Sequence, residues 1–182
     1  MQIKETKLKG CFIIEPTKFG DSRGYFFESF NEHTFNKLTG TQTHFVQDNQ
    51  SYSTRGVIRG LHAQAGDHAQ AKLVRVLEGR VIDVAVDARP DSETFGQHVA
   101  VELSAENNFQ LFVPRGFLHG FVVLSETATF FYKCDNFYNK ASECGVKFDD
   151  PELGIDWVVP AEELIISDKD QVLPSFKELF VD

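Results

Sequence analysis

Between Lys72 and Arg89 the chain reads KLVRVLEGRVIDVAVDAR, with apolar residues at every second position on both sides of Glu78-Gly79. Alternation of period two puts successive side chains on opposite faces, so this segment predicts two strands. HVAVELS (98–104), FQLFVP (109–114), GFVVLS (120–125) and ATFFYKC (128–134) repeat the pattern. Arg89-Pro90-Asp91, Ala105 to Asn108 and Ser125-Glu126 separate them as turns. Upstream, KGCFIIEP (9–16) and GYFFESF (24–30) read as strands too. Helix is scarce. Asn31 is placed to cap a short helix through Leu38, ended by Gly40, and Pro174 suits the first turn of another over 175–180. Many short strands at this spacing predict a mainly β barrel or sandwich with a few short helices.

Length and composition narrow the picture. A chain of 182 residues without repeats, low-complexity tracts or linkers is expected to form a single domain over 1–182. A net charge of -9 disfavours nucleic acid and acidic membrane surfaces as partners. The odd set Cys11, Cys134 and Cys144 lacks a CxxC spacing, which argues for reduced thiols and against a disulfide framework or zinc. No apolar run approaches the roughly 20 residues needed to span a bilayer. No signal-peptide pattern opens the chain, so a cytoplasmic protein is expected. Eighteen phenylalanines exceed what surface positions use, so most are assigned to the core and some to a subunit interface.

Two signatures of cupin-type jelly rolls are half present. Gly56, five residues and then His62 open the first, and Gly79 closes it; Pro114, Gly116 and His119 form the second. Gln64 stands where the first signature has another histidine, and Lys72 where it has a glutamate. Two histidines, an amide and an ammonium are a poor donor set for zinc or iron, so no metal and no cofactor are expected. Arg59 and His62 converge on this region with Lys72 and His119, but residues three apart on a regular strand face opposite ways. A bulge or kink at Gly60-Leu61 is therefore expected, and regular pairing there would count against a shared site.

FGDSRGYFFESF, FVQDNQSYS, VIRGLH, AQAKLVRVLEG, VIDVAVDAR, PRGFLHGF, YKCDNFY, DPELGIDW and SDKD occur in this order from Phe19 to Asp170. In this arrangement the chain resembles the dTDP-4-dehydrorhamnose 3,5-epimerase family. It departs from that family's usual pattern at Ala63, where an aromatic is usual, and at Leu118, where alanine is usual. The resemblance implies a dTDP-linked 4-keto-6-deoxy sugar as substrate, on the route to dTDP-L-rhamnose.

The protons on C3 and C5 flank the C4 carbonyl and are the acidic ones, because loss of either gives an enolate. Inverting such a carbon needs a base on one face, an acid on the other and a cation at the oxygen. His62, with an ordinary pKa of about 6.5, suits the base. By resemblance, Asp170 orients it, Lys72 meets the enolate oxygen, and Tyr132 returns the proton. A phenol needs help to act near neutrality, and Lys72 is the expected source. The resemblance further assigns Arg59 and Arg23 to the diphosphate and Tyr138 to stacking on thymine. Gln47, Asn49, His119, Glu143 and Lys169 are its remaining ligand contacts. It also implies a homodimer, in which the Arg23-to-Glu28 segment reaches the neighbouring subunit's site. Rival readings are a mono-epimerase of a related dTDP-keto sugar, a non-catalytic sugar-nucleotide-binding domain, and a metal-dependent cupin.

Overall fold

The computed structural model describes residues 1–180, so the last two positions of the expected 1–182 domain lie outside the described residues. Thirteen strands and three α-helices follow one another along it. Strands β1 (Gln2–Glu5), β2 (Phe12–Glu15), β3 (Phe19–Asp21) and β4 (Gly24–Phe26) lead to helix α1 (Glu32–Thr39). Then come β5 (Gln47–Thr54), β6 (Ile58–Gln64), β7 (Lys72–Glu78), β8 (Arg80–Asp87), β9 (His98–Ser104), β10 (Gln110–Val113), β11 (Phe117–Val123) and β12 (Thr127–Cys134). Strand β13 (Glu143–Gly145) and helices α2 (Asp168–Gln171) and α3 (Phe176–Phe180) complete the chain.

The long strands form a jelly-roll sandwich of the cupin type. One sheet has the order β1-β2-β10-β7-β12-β5 and the other β13-β6-β11-β8-β9, while β3 and β4 form a separate ribbon. The alternating segment around Gly79 splits between the two layers, with β7 in the first sheet and β8 in the second. Gly79 turns that corner at φ +79, and a Cβ there would lie 2.1 Å from the Thr127 carbonyl oxygen.

Period two sorts the side chains into three layers. Val74, Val76, Val81, Ala85, Phe117, Phe121 and Phe130 point between the sheets and pack together. Leu118, Val122, Val84 and Val86, on the other face of β11 and β8, are covered by Trp157, Val159 and Phe176 of the C-terminal segment. Helix α1 covers the first sheet through Phe35, which packs on Phe112, Phe30 and Phe45. Every residue of β11 is buried, because both its faces are covered. Phenylalanine thus recurs in all three layers.

Helix ends follow local chemistry. Asn31 Oδ1 accepts the Thr34 N–H at 3.0 Å, and Gly40 ends α1 in the left-handed region at φ +69. The C-terminal helix, expected over 175–180, begins at Phe176, and Ser175 and Glu178 form a reciprocal capping box before it. Strand β4 is shorter than the expected 24–30 strand, stopping at Phe26, while the polar strand β5, which alternation of apolar residues does not reveal, pairs with β12 along its whole length. No helix among the described residues is long and apolar enough to cross a membrane.

Candidate active site

Strand β6 carries the irregularity that the site requires. His62 pairs with His119 and Arg59 with Phe121 across β6 and β11. Two steps along β11 therefore match three along β6, and the extra residue brings Arg59 and His62 to the same face. Gly60 makes this possible. It lies at φ +118, and a Cβ there would sit 2.5 Å from Gly120 Cα and 2.6 Å from the His119 carbonyl oxygen.

The apolar interior gives way at one end of the sandwich to a cavity of about 520 Å³. Arg59, His62, His119, Lys72, Tyr132 and Asp170 line it, together with Ser51 and Lys169. An adjoining cavity of about 260 Å³ shares His62, Lys72 and Tyr132 and adds Gln47, Asn49, Tyr138 and Glu143. The two hollows thus meet at an imidazole, an ammonium and a phenol. His62 and His119 belong to one sheet, Lys72 and Tyr132 to the other, so the imidazole and the phenol stand on opposing walls.

Asp170 reaches this cavity from α2. Ser167 caps that helix, its Oγ accepting the Asp170 N–H at 3.2 Å, and Asp170 Oδ1 lies 2.6 Å from His62 Nε2. The parallel bridge between Val57 and Ile165 ties this C-terminal segment to the rim. Burial lowers the His62 pKa below the ordinary imidazole value; Asp170 opposes the shift, and Lys72 and Lys169 add to it. Burial also lowers Lys72. Tyr132 is raised, again chiefly by burial, and the cation that pulls it back is Arg59. Arg59 thus joins Lys72 as a cation beside the phenol. Lys72 Nζ lies 6.0 Å from the centre of the Tyr132 ring.

At the second cavity the polar groups are linked. Tyr138 donates its hydroxyl to Glu143 Oε2 at 2.9 Å, and Lys169 Nζ lies 2.5 Å from Glu143 Oε1. Gln47 Oε1 accepts the Tyr138 N–H at 3.3 Å, and its Nε2 donates to Asn49 Oδ1 at 3.0 Å. Arg59 is held at the mouth of the larger cavity by Ser53 Oγ at 3.1 Å. Gln64 is buried and accepts the Asn139 N–H at 2.8 Å, a structural use of the place where a cupin signature has a histidine. Among the described residues, no three His, Cys, Asp or Glu side chains are grouped so as to hold a metal ion.

Two expected residues lie elsewhere in this chain. Arg23 sits at the exposed tip of the β3-β4 ribbon, paired with Asp21 at 2.5 Å, and Glu28 accepts from Asn31 Nδ2 at 3.2 Å. Neither lines the two cavities. Conversely, Ser51 and Asp83 escaped the sequence reading. Asp83 is fully buried on β8, with both carboxylate oxygens 3.0 Å from His119 Nε2. Its signal was legible: in VIDVAVDAR it shares the interior register with Val81 and Ala85, where a carboxylate demands a partner.

Comparison with known proteins agrees with this geometry. The sequence profile described as dTDP-4-dehydrorhamnose 3,5-epimerase matches residues 5–178. The Escherichia coli K12 protein of that name is 49% identical over 179 residues, covering 98% of this chain and 96% of its own. The crystal structure of dTDP-4-dehydrorhamnose 3,5-epimerase from Elizabethkingia anophelis NUHP1 superposes with a TM-score of 0.96 at 63% identity, over 99% of this chain and 98% of the other. A Legionella pneumophila 3,5-epimerase, solved in complex with dTDP-4-keto-L-rhamnose, gives a TM-score of 0.93 at 46% identity, over 100% of this chain and 94% of the other.

Proposed function

This chain belongs to the dTDP-4-dehydrorhamnose 3,5-epimerase family, and from that membership we propose how its own residues carry the reaction. It is an isomerase that turns dTDP-4-dehydro-6-deoxy-D-glucose into dTDP-4-dehydro-L-rhamnose by inverting C3 and C5. His62 removes the proton from the carbon next to the C4 carbonyl. Its lowered pKa keeps it unprotonated at neutral pH, ready to accept. The electrons move onto the carbonyl oxygen, and Lys72 meets the charge that forms there. Tyr132 delivers a proton to the opposite face of the same carbon, and Arg59 eases the charge left on the phenolate. Asp170 orients His62 and stabilises the imidazolium.

One observation carries this assignment: His62 and Tyr132 face a shared cavity from opposite sheets, with Lys72 beside the phenol. Arg59 at the cavity mouth suits the diphosphate, since a guanidinium pairs bidentately with phosphate oxygens. Tyr138 suits thymine, with Gln47, Asn49, His119, Glu143 and Lys169 as further contacts. We propose that residues 1–182 act as one cytoplasmic domain and work as a homodimer. Each Arg23-to-Glu28 segment then reaches its neighbour's cavity. The exposed Phe19 and Phe26 on the β3-β4 ribbon support an interface there.

The test is product NMR with dTDP-4-keto-6-deoxyglucose in deuterium oxide. Deuterium at both C3 and C5 is the expected result. Label at a single carbon means a mono-epimerase, and binding of dTDP without any exchange means a non-catalytic domain.

A further inference from the structure

Asp83 is a buried charge that the chemistry above leaves without a role. Its side chain is enclosed inside the sandwich, and the ring of His119 caps both its oxygens at 3.0 Å. His119 itself lines the larger cavity. Asp83 lies opposite Phe121 in the β8-β11 register, so it shares the interior face with His119. A carboxylate so placed is costly unless charges around it compensate.

Lys72 faces the same interior from β7. Burial disfavours the charged form of both groups, and each opposes the shift of the other. The remaining groups around Lys72 do not replace Asp83. The nearby thiol of Cys134 is raised to about 11, chiefly by burial, and is uncharged at neutral pH. Cys144 is also raised. Glu143 is shared with Lys169 and Tyr138 at the rim, and Asp170 is bound to His62. Arg59, Lys169 and any imidazolium form of His62 oppose a charge on Lys72, and neutral Tyr132 supplies no anion.

We propose that Asp83 is a positioning residue of this site: it locks His119 through Nε2 and supplies the interior anion that holds Lys72 as an ammonium. The inference rests on the epimerase reading and adds a residue to it. With Nε2 donating to Asp83, His119 keeps Nδ1 as its remaining polar atom for the substrate. With Asp83 ionised, the enolate oxygen meets a cation rather than a neutral amine.

Asp83→Asn tests this, because the amide keeps the shape and an acceptor oxygen but loses the charge. The readout is the pH dependence of kcat/KM for deuterium incorporation in the wild type and the variant. The basic limb should move to lower pH by about one to three units, the effect of removing a nearby opposite charge. Above that limb kcat should fall at least roughly tenfold, with KM changing less. A folded variant whose basic limb stays in place overturns the inference, since a purely structural role leaves the profile unmoved. Nitrogen-15 NMR of His119 in the wild type decides independently, even if Asp83→Asn does not fold. In the neutral ring the proton should reside on Nε2, and a ring protonated on Nδ1 alone overturns the assignment. A wild-type enzyme that places no deuterium at C3 or C5 defeats the functional reading itself, whatever Asp83→Asn does.

Discussion

His62 is set by two opposed forces, and its variants separate them. Burial lowers its pKa, and the Asp170 carboxylate 2.6 Å away raises it again. The acid limb of kcat/KM should therefore lie below the ordinary imidazole value of about 6.5. Removing the anion in Asp170→Asn favours the neutral ring further, so the limb should move to still lower pH while kcat falls. A limb that rises in pH would show that Asp170 does not act on His62 in this way. His62→Ala should lose deuterium exchange by roughly 10²- to 10⁴-fold, the span of a positioned general base, while dTDP still binds by calorimetry. Tyr132→Phe should cripple inversion but leave proton loss, so label enters with the original configuration retained. Most of these residues could be read from the sequence, because their types are improbable where they stand: a lysine at a metal-ligand position, an arginine and a histidine three apart around a glycine. The cation that helps Tyr132 could not. Arg59 and Lys72 both converge on the region, and motif spacing does not say which of them faces the phenol.

At the scale of the element, the decisive feature is the bulge in β6, and Gly60 carries it. Alanine there meets two obstacles: a φ of +118, and backbone atoms 2.5 and 2.6 Å from its Cβ. Together these should cost about 2 to 5 kcal/mol, so Gly60→Ala should melt roughly 5 to 15 °C lower or fail to fold. Gly24→Ala is the control, since Gly24 also has positive φ, at +129, but a Cβ there meets nothing within 4 Å. Equal loss in both would assign the cost to φ alone. The end of β8 gives a second test. Burial alone would raise the Asp87 carboxyl, but Arg89 at 2.7 Å and the hydroxyls of Ser92 and Thr94 at 2.5 and 2.6 Å hold it at about 2, against an ordinary 3.8. A carboxyl depressed in the folded state stabilises above pH 3.8 and loses that contribution as pH falls towards 2. Asp87→Asn should therefore be less stable by on the order of 2 kcal/mol at pH 7 in urea melts, with a flatter acid limb between pH 4 and 2. Alternation located the apolar strands and the glycine predicted the bulge. Strand β5 escaped because its interior residues Gln47, Asn49 and Ser51 face a polar cavity, so no apolar period marks it. Helix α2, four residues long, is too short for any periodicity.

The whole molecule raises the question of where Arg23 acts, because no fold of one chain answers it. Its side chain is 88% exposed on a ribbon whose Phe19 and Phe26 are 65% and 70% exposed, and the cavity proposed to hold the diphosphate is lined by other residues of this chain. The resemblance supplied this idea; alternation and composition offered only an excess of phenylalanine. A two-fold symmetric dimer makes the idea quantitative, since each interface is used twice and each site takes one ribbon from its neighbour. Arg23→Ala and His62→Ala should each be nearly inactive alone. If the two are unfolded together and refolded in equal amounts, about half the dimers combine one of each. In such a dimer the Arg23→Ala protomer keeps its own His62 and receives an intact Arg23, so that site works. The other site lacks both groups. Deuterium incorporation should therefore recover to about a quarter of wild type, one working site in four. An arginine acting within its own chain leaves no working site in any combination, and the mixture stays dead. Light scattering on the same samples separates this outcome from failure to pair: a refolded dimer without recovery places Arg23 outside the neighbour's site, whereas a monomer that is active alone removes the shared site altogether.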